Sequence, residues 1–263
     1  MKAGARLPAL FVGHGSPMNT LADNRWTQAW RRLGQSLPRP QAILALSAHW
    51  YVRGVAVTSM DAPRTIHDFH GFPRELFEVE YPVPGSPLLA ARVRDLLRPL
   101  EVEADRSWGV DHGTWSVLAH IFPEADIPVV QLSIDRTRPA QFHYDLGRRL
   151  APLRDEGVLI LGSGNVVHNL GMLAWDRPDA ACDWALRFEQ SVKDHLARRD
   201  HAPLVAWESL DPQAQLAVPT PEHYLPLLYV IATQQEDDAV SFPVGGIDMG
   251  SLSMLSVTVG SGV

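Results

Sequence analysis

The chain has 263 residues, 46% of them hydrophobic and 20% charged, enough to bury a large core without disulfide or metal staples. Its 30 acidic residues outweigh 23 basic ones for a net charge of -7, which argues against nucleic acid or an anionic membrane as a partner. A single cysteine, Cys182, excludes an intrachain disulfide and a cysteine-built zinc or iron–sulfur site, and fits a reducing, cytoplasmic compartment.

In chain order, Lys2 and Arg6 precede an apolar run of about six residues, shorter than the core of a signal peptide. That run is the first predicted strand, 8–12, and it stops at Gly-His-Gly-Ser-Pro with His14. A helix is predicted at 24–35, then a strand at 42–47 ending in Ser-Ala-His-Trp at His49, and a strand at 54–58. Ser86-Pro87 opens a helix over 86–98. WGVDHGTW precedes a helix at 114–121, with Asp111 placed to cap it or to orient an imidazole. A strand at 128–133, a helix at 139–151 and a strand at 157–161 follow; the last runs through GSGNVVHN to His168. Helices are predicted at 178–199 and 221–232, the second begun by Thr220 and Pro221 and open to a kink at Pro226. Segments 240–244 and 253–259 read as an antiparallel hairpin.

Several of the strands are continuous apolar runs, as strands covered on both faces are. Alternation of strand and helix predicts an α/β fold, with a mostly parallel central sheet flanked by helices on both faces and a C-terminal antiparallel hairpin. No repeat, low-complexity tract or linker interrupts it, so residues 1–263 read as a single domain. The longest apolar stretch, 224–232, is far short of a membrane span.

Ligands of such sheets gather beyond the carboxyl ends of the strands. His14, His49 and His168 each follow a strand and so converge on one edge. A turn histidine alone is usually structural; three at equivalent strand ends point to metal binding or acid–base chemistry. His223, in the first turn of the 221–232 helix, and His112 join them as candidates. Imidazole clusters suit iron, zinc, copper or nickel rather than magnesium or calcium. The glycines of GSGNVVHN lack the lysine and spacing of a phosphate loop. His120, His143, His195 and His201 lie in or beside helices and read as packing or surface residues. His67 and His70, in the Gly/Pro-punctuated loop IHDFHGFP, are candidates for substrate contact, and Arg64 for greeting a carboxylate.

FVGHGSPMN, LSAHW, TIHDFHGFP, WGVDHGTW, GSGNVVHNL, PTPEHYLPLLY and GSLSMLS, in this order, resemble the class III extradiol ring-cleaving dioxygenases, 4,5-DOPA dioxygenase extradiol type. The resemblance spans about residues 8–257. It implies a non-haem Fe(II) at the sheet edge, with His14, His49 and His223 as ligands. His168 matches a histidine that is acid–base catalyst in the wider superfamily and a fourth metal contact in this branch; His112 matches a second pocket histidine. A branch of the family uses a glutamate as third ligand; here the matching motif offers His223 with Glu222 just before it. An all-histidine site also suits Zn(II), which can occupy it after purification. The implied reaction opens a catechol-type substrate, DOPA-like or related, with O2 to a semialdehyde. Two other readings stay open: a zinc-dependent hydrolase, and a non-catalytic binding member of the superfamily. Which catechol is used, the ring position cleaved and the oligomeric state are not set by the sequence.

Overall fold

Six strands form the central sheet: β1 (Ala9–Gly13), β2 (Ala42–Ser47), β3 (Val129–Gln131), β4 (Val158–Gly164), β5 (Val240–Val244) and β6 (Ser256–Val259), in the order β3-β2-β4-β1-β6-β5. The computed structural model describes residues 6–260; Lys2 lies outside the described residues. β3, β2, β4 and β1 run parallel, and β6 and β5 add an antiparallel edge. In register, Leu44 faces Val130 on one side and Ile160 on the other, and Phe11 faces Gly162 and Val257.

Strand side chains alternate between two faces, and here both faces are covered. Leu10 and Val12 join a core with Trp26, Trp30 and Trp115, while Ala9 and Phe11 join the opposite core with Phe188 and Tyr229. This is why β1, β2 and β4 read as unbroken apolar runs. The main flanking helices are α1 (Arg25–Ser36), α2 (Pro87–Leu96), α3 (His112–Ile121), α4 (Ala140–Leu150), α5 (Asp183–Ala197) and α6 (Leu225–Ile231). α1 starts at a capping box, in which Asn24 Oδ1 accepts from the Thr27 amide at 3.0 Å and Thr27 Oγ1 accepts from the Asn24 amide at 3.0 Å. Ser86 caps α2 through the Leu89 amide at 3.1 Å.

Several boundaries differ from the sequence reading, each for a local reason. α3 starts at His112 rather than 114, because Asp111 Oδ1 accepts from the Thr114 amide at 3.2 Å and draws His112 into the first turn. α5 starts at Asp183 rather than 178, because the segment before it is tied to the chain around Met249–Gly250. The 221–232 helix divides into a 3-10 turn, Pro221–His223, and α6, with Pro226 near the junction, where its missing N–H costs no helical bond. The strand at 54–58 is Val55–Thr58, outside the central sheet and parallel to Val102–Asp105. Val-Glu-Ala-Asp carries no apolar run, so its sequence gives no strand signal. β5 and β6 do pair antiparallel, and the chain between them folds into a tighter pair, Ile247–Asp248 with Leu252–Ser253. Among the described residues no helix is long and apolar enough to cross a membrane.

Candidate metal centre

The carboxyl edge of the parallel strands is locked by backbone bonds that run past the strand ends. The His14 amide donates to the Gly164 carbonyl and the Ala48 amide to the Ser163 carbonyl, each at 3.0 Å. Gly13 and Gly164 serve close approach here. A Cβ at Gly13 would lie 2.6 Å from the Ser253 carbonyl oxygen, and one at Gly164 would strike the His223 carbonyl oxygen. That carbonyl accepts from the Asn165 amide at 2.8 Å. The glycines of GSGNVVHN therefore admit the His223 segment onto β4 rather than cradling a phosphate.

Five imidazoles meet above this edge: His14, His49, His112, His168 and His223 all line one cavity of about 310 Å³. Two groupings stand out. Ligand atoms of His14, His49 and His112 lie within 4.8 Å of one another. The rings of His14, His49 and His223 form a more regular set, with centroids 5.1, 5.3 and 5.3 Å apart. In the first grouping the spacing is uneven, since His112 sits 3.9 Å from His49 but 6.0 Å from His14. Three rings that share one ion surround it at similar separations, so the second grouping has the better shape for a three-fold site. His168 stacks flat on His223, centroids 3.5 Å apart and planes 5° apart.

The outer nitrogens are held from behind. His14 Nδ1 lies 2.9 Å from Ser163 Oγ, and His223 Nδ1 lies 3.2 Å from Glu222 Oε1. Asp68 spans two rings, with Oδ1 2.9 Å from His112 Nδ1 and Oδ2 3.2 Å from His49 Nδ1. Such partners fix ring orientation and tautomer and leave Nε2 to face inward; the Nε2 atoms of His14 and His49 approach to 3.4 Å. No side-chain partner among the described residues holds a ring nitrogen of His168. Asp111 is occupied elsewhere, capping α3 and accepting from Gln131 Nε2 at 2.7 Å.

Burial, reinforced by the neighbouring imidazoles, holds His14 and His223 well below the ordinary histidine value. Burial lowers His168 to about 4 against the opposing pull of Glu222. His112 is lowered because burial outweighs Asp68, whereas at His49 burial is outweighed by Asp68 and Asp111 and the value rises. Asp68 itself stays well below the carboxylate range: burial opposes this, but the bonds from His112 and His49 prevail. Neutral imidazole is the form that can ligate a metal, and burial favours that form at His14 and His223. Nitrogen donors of this kind fit iron or zinc and not the oxygen-seeking magnesium or calcium.

The remaining histidines stand apart. His67 bonds the Val79 carbonyl through Nε2 at 2.8 Å, and neither it nor exposed His70 lines the cavity. Arg64 donates to the Trp108 carbonyl. His120 donates to the Asn19 carbonyl; His143 meets Tyr229, His195 meets Asp200, and His201 meets Tyr144. The residues that the sequence reading passed over are Asp68 and Ser163. An acid between two histidines in an aromatic loop was the available signal for Asp68. For Ser163, buried in β4, there was none.

The family described as the catalytic LigB subunit of aromatic ring-opening dioxygenase matches residues 9–246. A protein of Escherichia coli (strain K12) named 4,5-DOPA dioxygenase extradiol is 52% identical over 98% of this chain and 96% of its own. One of the same name from Beta vulgaris is 37% identical over 92% of each chain. The crystal structure of uncharacterized protein JW3007 from Escherichia coli K12 superposes with a TM-score of 0.86 at 49% identity, covering 97% of this chain and 100% of that one.

Proposed function

Since the chain belongs to the LigB family of extradiol, aromatic ring-opening dioxygenases, we propose that it opens the ring of a catechol, DOPA or a related one, with O2 in a metal-dependent reaction giving a semialdehyde. The observation that carries this reading is the near-equilateral arrangement of His14, His49 and His223 beneath an apolar cavity. These three residues are the proposed ligands, and His168, stacked on His223, is the proposed fourth contact. His112 is left out of the ligand set because it crowds His49 and shares its carboxylate.

Fe(II) is the proposed catalytic metal and Zn(II) an alternative occupant of the same donors. When bound, a ferrous ion with open positions supplies the redox chemistry that lets O2 react with a catechol. The protein's part is positional and protolytic. Asp68, Ser163 and Glu222 hold the ring planes. His168, a ring that no side chain among the described residues anchors, takes a hydroxyl proton from the incoming catechol and returns a proton later. His112, fixed by Asp68 and bordered by the edge of Phe69 at 5.3 Å, holds the substrate's far oxygen. The apolar wall keeps bulk water from these transfers. The same reading takes residues 1–263 as one catalytic domain in the cytoplasm, with a catechol and O2 as partners.

Anaerobic Fe(II) reconstitution followed by a catechol panel in air is the test. A yellow ring-opened product with matching O2 uptake is expected, and iron-loaded protein that consumes no O2 with any catechol overturns the proposal. His168→Ala should keep its metal and lose turnover by orders of magnitude. Loss of the metal in that variant would make His168 a ligand in place of an acid–base group.

A further inference from the structure

His14 is the one proposed ligand with glycine on both sides, Gly13 and Gly15, and glycine leaves a backbone poorly restrained. The turn needs both. A Cβ at Gly13 would strike the Ser253 carbonyl; Gly15 has a left-handed φ of +61°, and a Cβ there would lie 2.5 Å from Met254 Sδ. Something other than the local sequence must therefore hold His14. Its amide is tied to the Gly164 carbonyl on β4 and its Nδ1 to Ser163 Oγ. Its own carbonyl accepts from Asn19 Nδ2 at 3.3 Å.

Asn19 is buried, 5% exposed, in the 3-10 turn Pro17–Thr20 that Ser16 caps. The Asn19 amide donates to the Ser16 carbonyl at 3.0 Å, and its carbonyl accepts from His120 Nε2 on α3 at 2.9 Å. Its Oδ1 accepts from Asn24 Nδ2 at 2.9 Å. Asn24 is the N-cap of α1, and its Oδ1 is committed to the Trp26 and Thr27 amides at 2.9 and 3.0 Å. A carboxamide has one acceptor end and one donor end. With the oxygen of Asn24 spent on the cap, only its Nδ2 is left to face Asn19. Asn19 must answer with Oδ1 and turn its own Nδ2 to His14. The cap of α1 thereby dictates which end of Asn19 meets the His14 main chain.

We propose that Asn19 is a positioning residue of the metal centre: its Nδ2 fixes the His14 main chain, and with it the direction of the His14 ring, relative to His49 and His223. The inference rests on the reading of His14 as a metal ligand given above. Through Asn24 and His120, α1 and α3 brace a ligand that neither of them carries. The same bonds set the course of Gly15, Ser16 and Pro17, which line the cavity. Removing a group that orients a ligand costs about 10–100-fold in metal affinity.

Asn24→Asp tests this without altering either partner of the bond. The carboxylate still caps α1, but it presents an acceptor where Asn24 presented Nδ2, so Asn19 must turn its carboxamide around. Oδ1 then faces the His14 carbonyl, and the bond is lost. Metal-free protein is titrated with Zn(II) against a chromophoric chelator and with Co(II), whose visible bands report ligand geometry; urea titration reads its stability. Asn24→Asp should keep its stability, shift the Co(II) bands and lose about tenfold in Zn(II) affinity. The added negative charge favours a cation, so that loss cannot come from electrostatics. Asn19→Leu, which keeps the volume and lacks the amide, should lose at least as much. Unchanged Zn(II) affinity in folded Asn24→Asp overturns the inference even where Asn19→Leu is impaired, since the impairment then belongs to packing. Zn(II) binding needs no turnover, so this outcome is read whether or not a catechol ring is opened. If the unaltered protein binds neither Zn(II) nor Co(II), the metal reading fails and takes the inference with it. If it binds them and Asn24→Asp binds Zn(II) equally, the metal reading stands and the inference alone fails.

Discussion

The two edges of the central sheet both bury ionisable side chains, and they treat them oppositely. At the amino edge, Arg154 is 1% exposed and every N–H of its guanidinium is engaged. It donates to the carbonyls of Leu7, Thr233 and Val259 and to both oxygens of Asp238. At the carboxyl edge, His14, His49, His112 and His223 are each anchored from behind through Nδ1, and all four line a cavity. A buried polar group with all its bonds made ties chain segments together; here β1, β4 and β6 meet around one side chain. A buried polar group with one valence held and one free is arranged for something that comes from outside the chain.

The largest effects separate the two edges most cleanly. His14→Ala and His49→Ala should abolish metal occupancy and activity together, read by elemental analysis of the purified protein and by O2 uptake, while the fold persists. Stoichiometric metal in either variant would remove the proposed ligand set. Arg154→Met should do the reverse. It leaves Asp238 and three carbonyls without their partner, a loss of about 3–5 kcal/mol when one member of a buried pair is removed. Denaturant titration reads that loss, and the molecules that remain folded should bind metal as the unaltered protein does. A drop in metal affinity of folded Arg154→Met would join the two edges functionally and end the contrast.

Much of the functional edge was legible in the sequence, and little of the structural one was. β1, β2 and β4 announce themselves as apolar runs because both their faces are covered, and a parallel sheet then forces His14, His49 and His168 to one side. His223 was placed by motif, and its approach depends on the bareness of Gly164, which a single sequence shows without explaining. Asp68 was passed over in favour of its neighbours His67 and His70. In a loop with no regular period, nothing in the sequence says which of these three side chains turns inward. Arg154, in Pro-Leu-Arg-Asp-Glu-Gly, looks like any solvated charge, because its partners lie 79 to 147 positions away along the chain. Val102–Asp105 is a strand whose partner, not its composition, makes it one.

Asp68→Asn probes the boundary between anchoring and binding. An amide can hold one imidazole but cannot accept from two as a carboxylate does. Metal affinity and activity should fall by about 10–100-fold, the usual cost of losing a group that orients ligands. Competition with a chromophoric chelator measures the affinity. An unchanged affinity would mean that His49 keeps its orientation without Asp68.

The smallest effect lies back at the amino edge, in the pH dependence of stability. Burial pushes Asp238 upward, but the bonds from Arg154 and from the Gln235 amide outweigh it, and the carboxyl sits below its ordinary value of 3.8. A carboxyl more acidic in the folded chain than in the unfolded one contributes stability that is fully present above pH 3.8 and is lost as pH falls through the lowered value. Asp238→Asn cannot titrate, so the stability gap between it and the unaltered protein should stay constant from pH 7 to about 5 and narrow below about 4. Urea titrations at each pH measure it. A gap that holds constant into strong acid would mean that Arg154 is satisfied by its carbonyls alone, and that the amino edge is tied by dipoles and not by an ion pair.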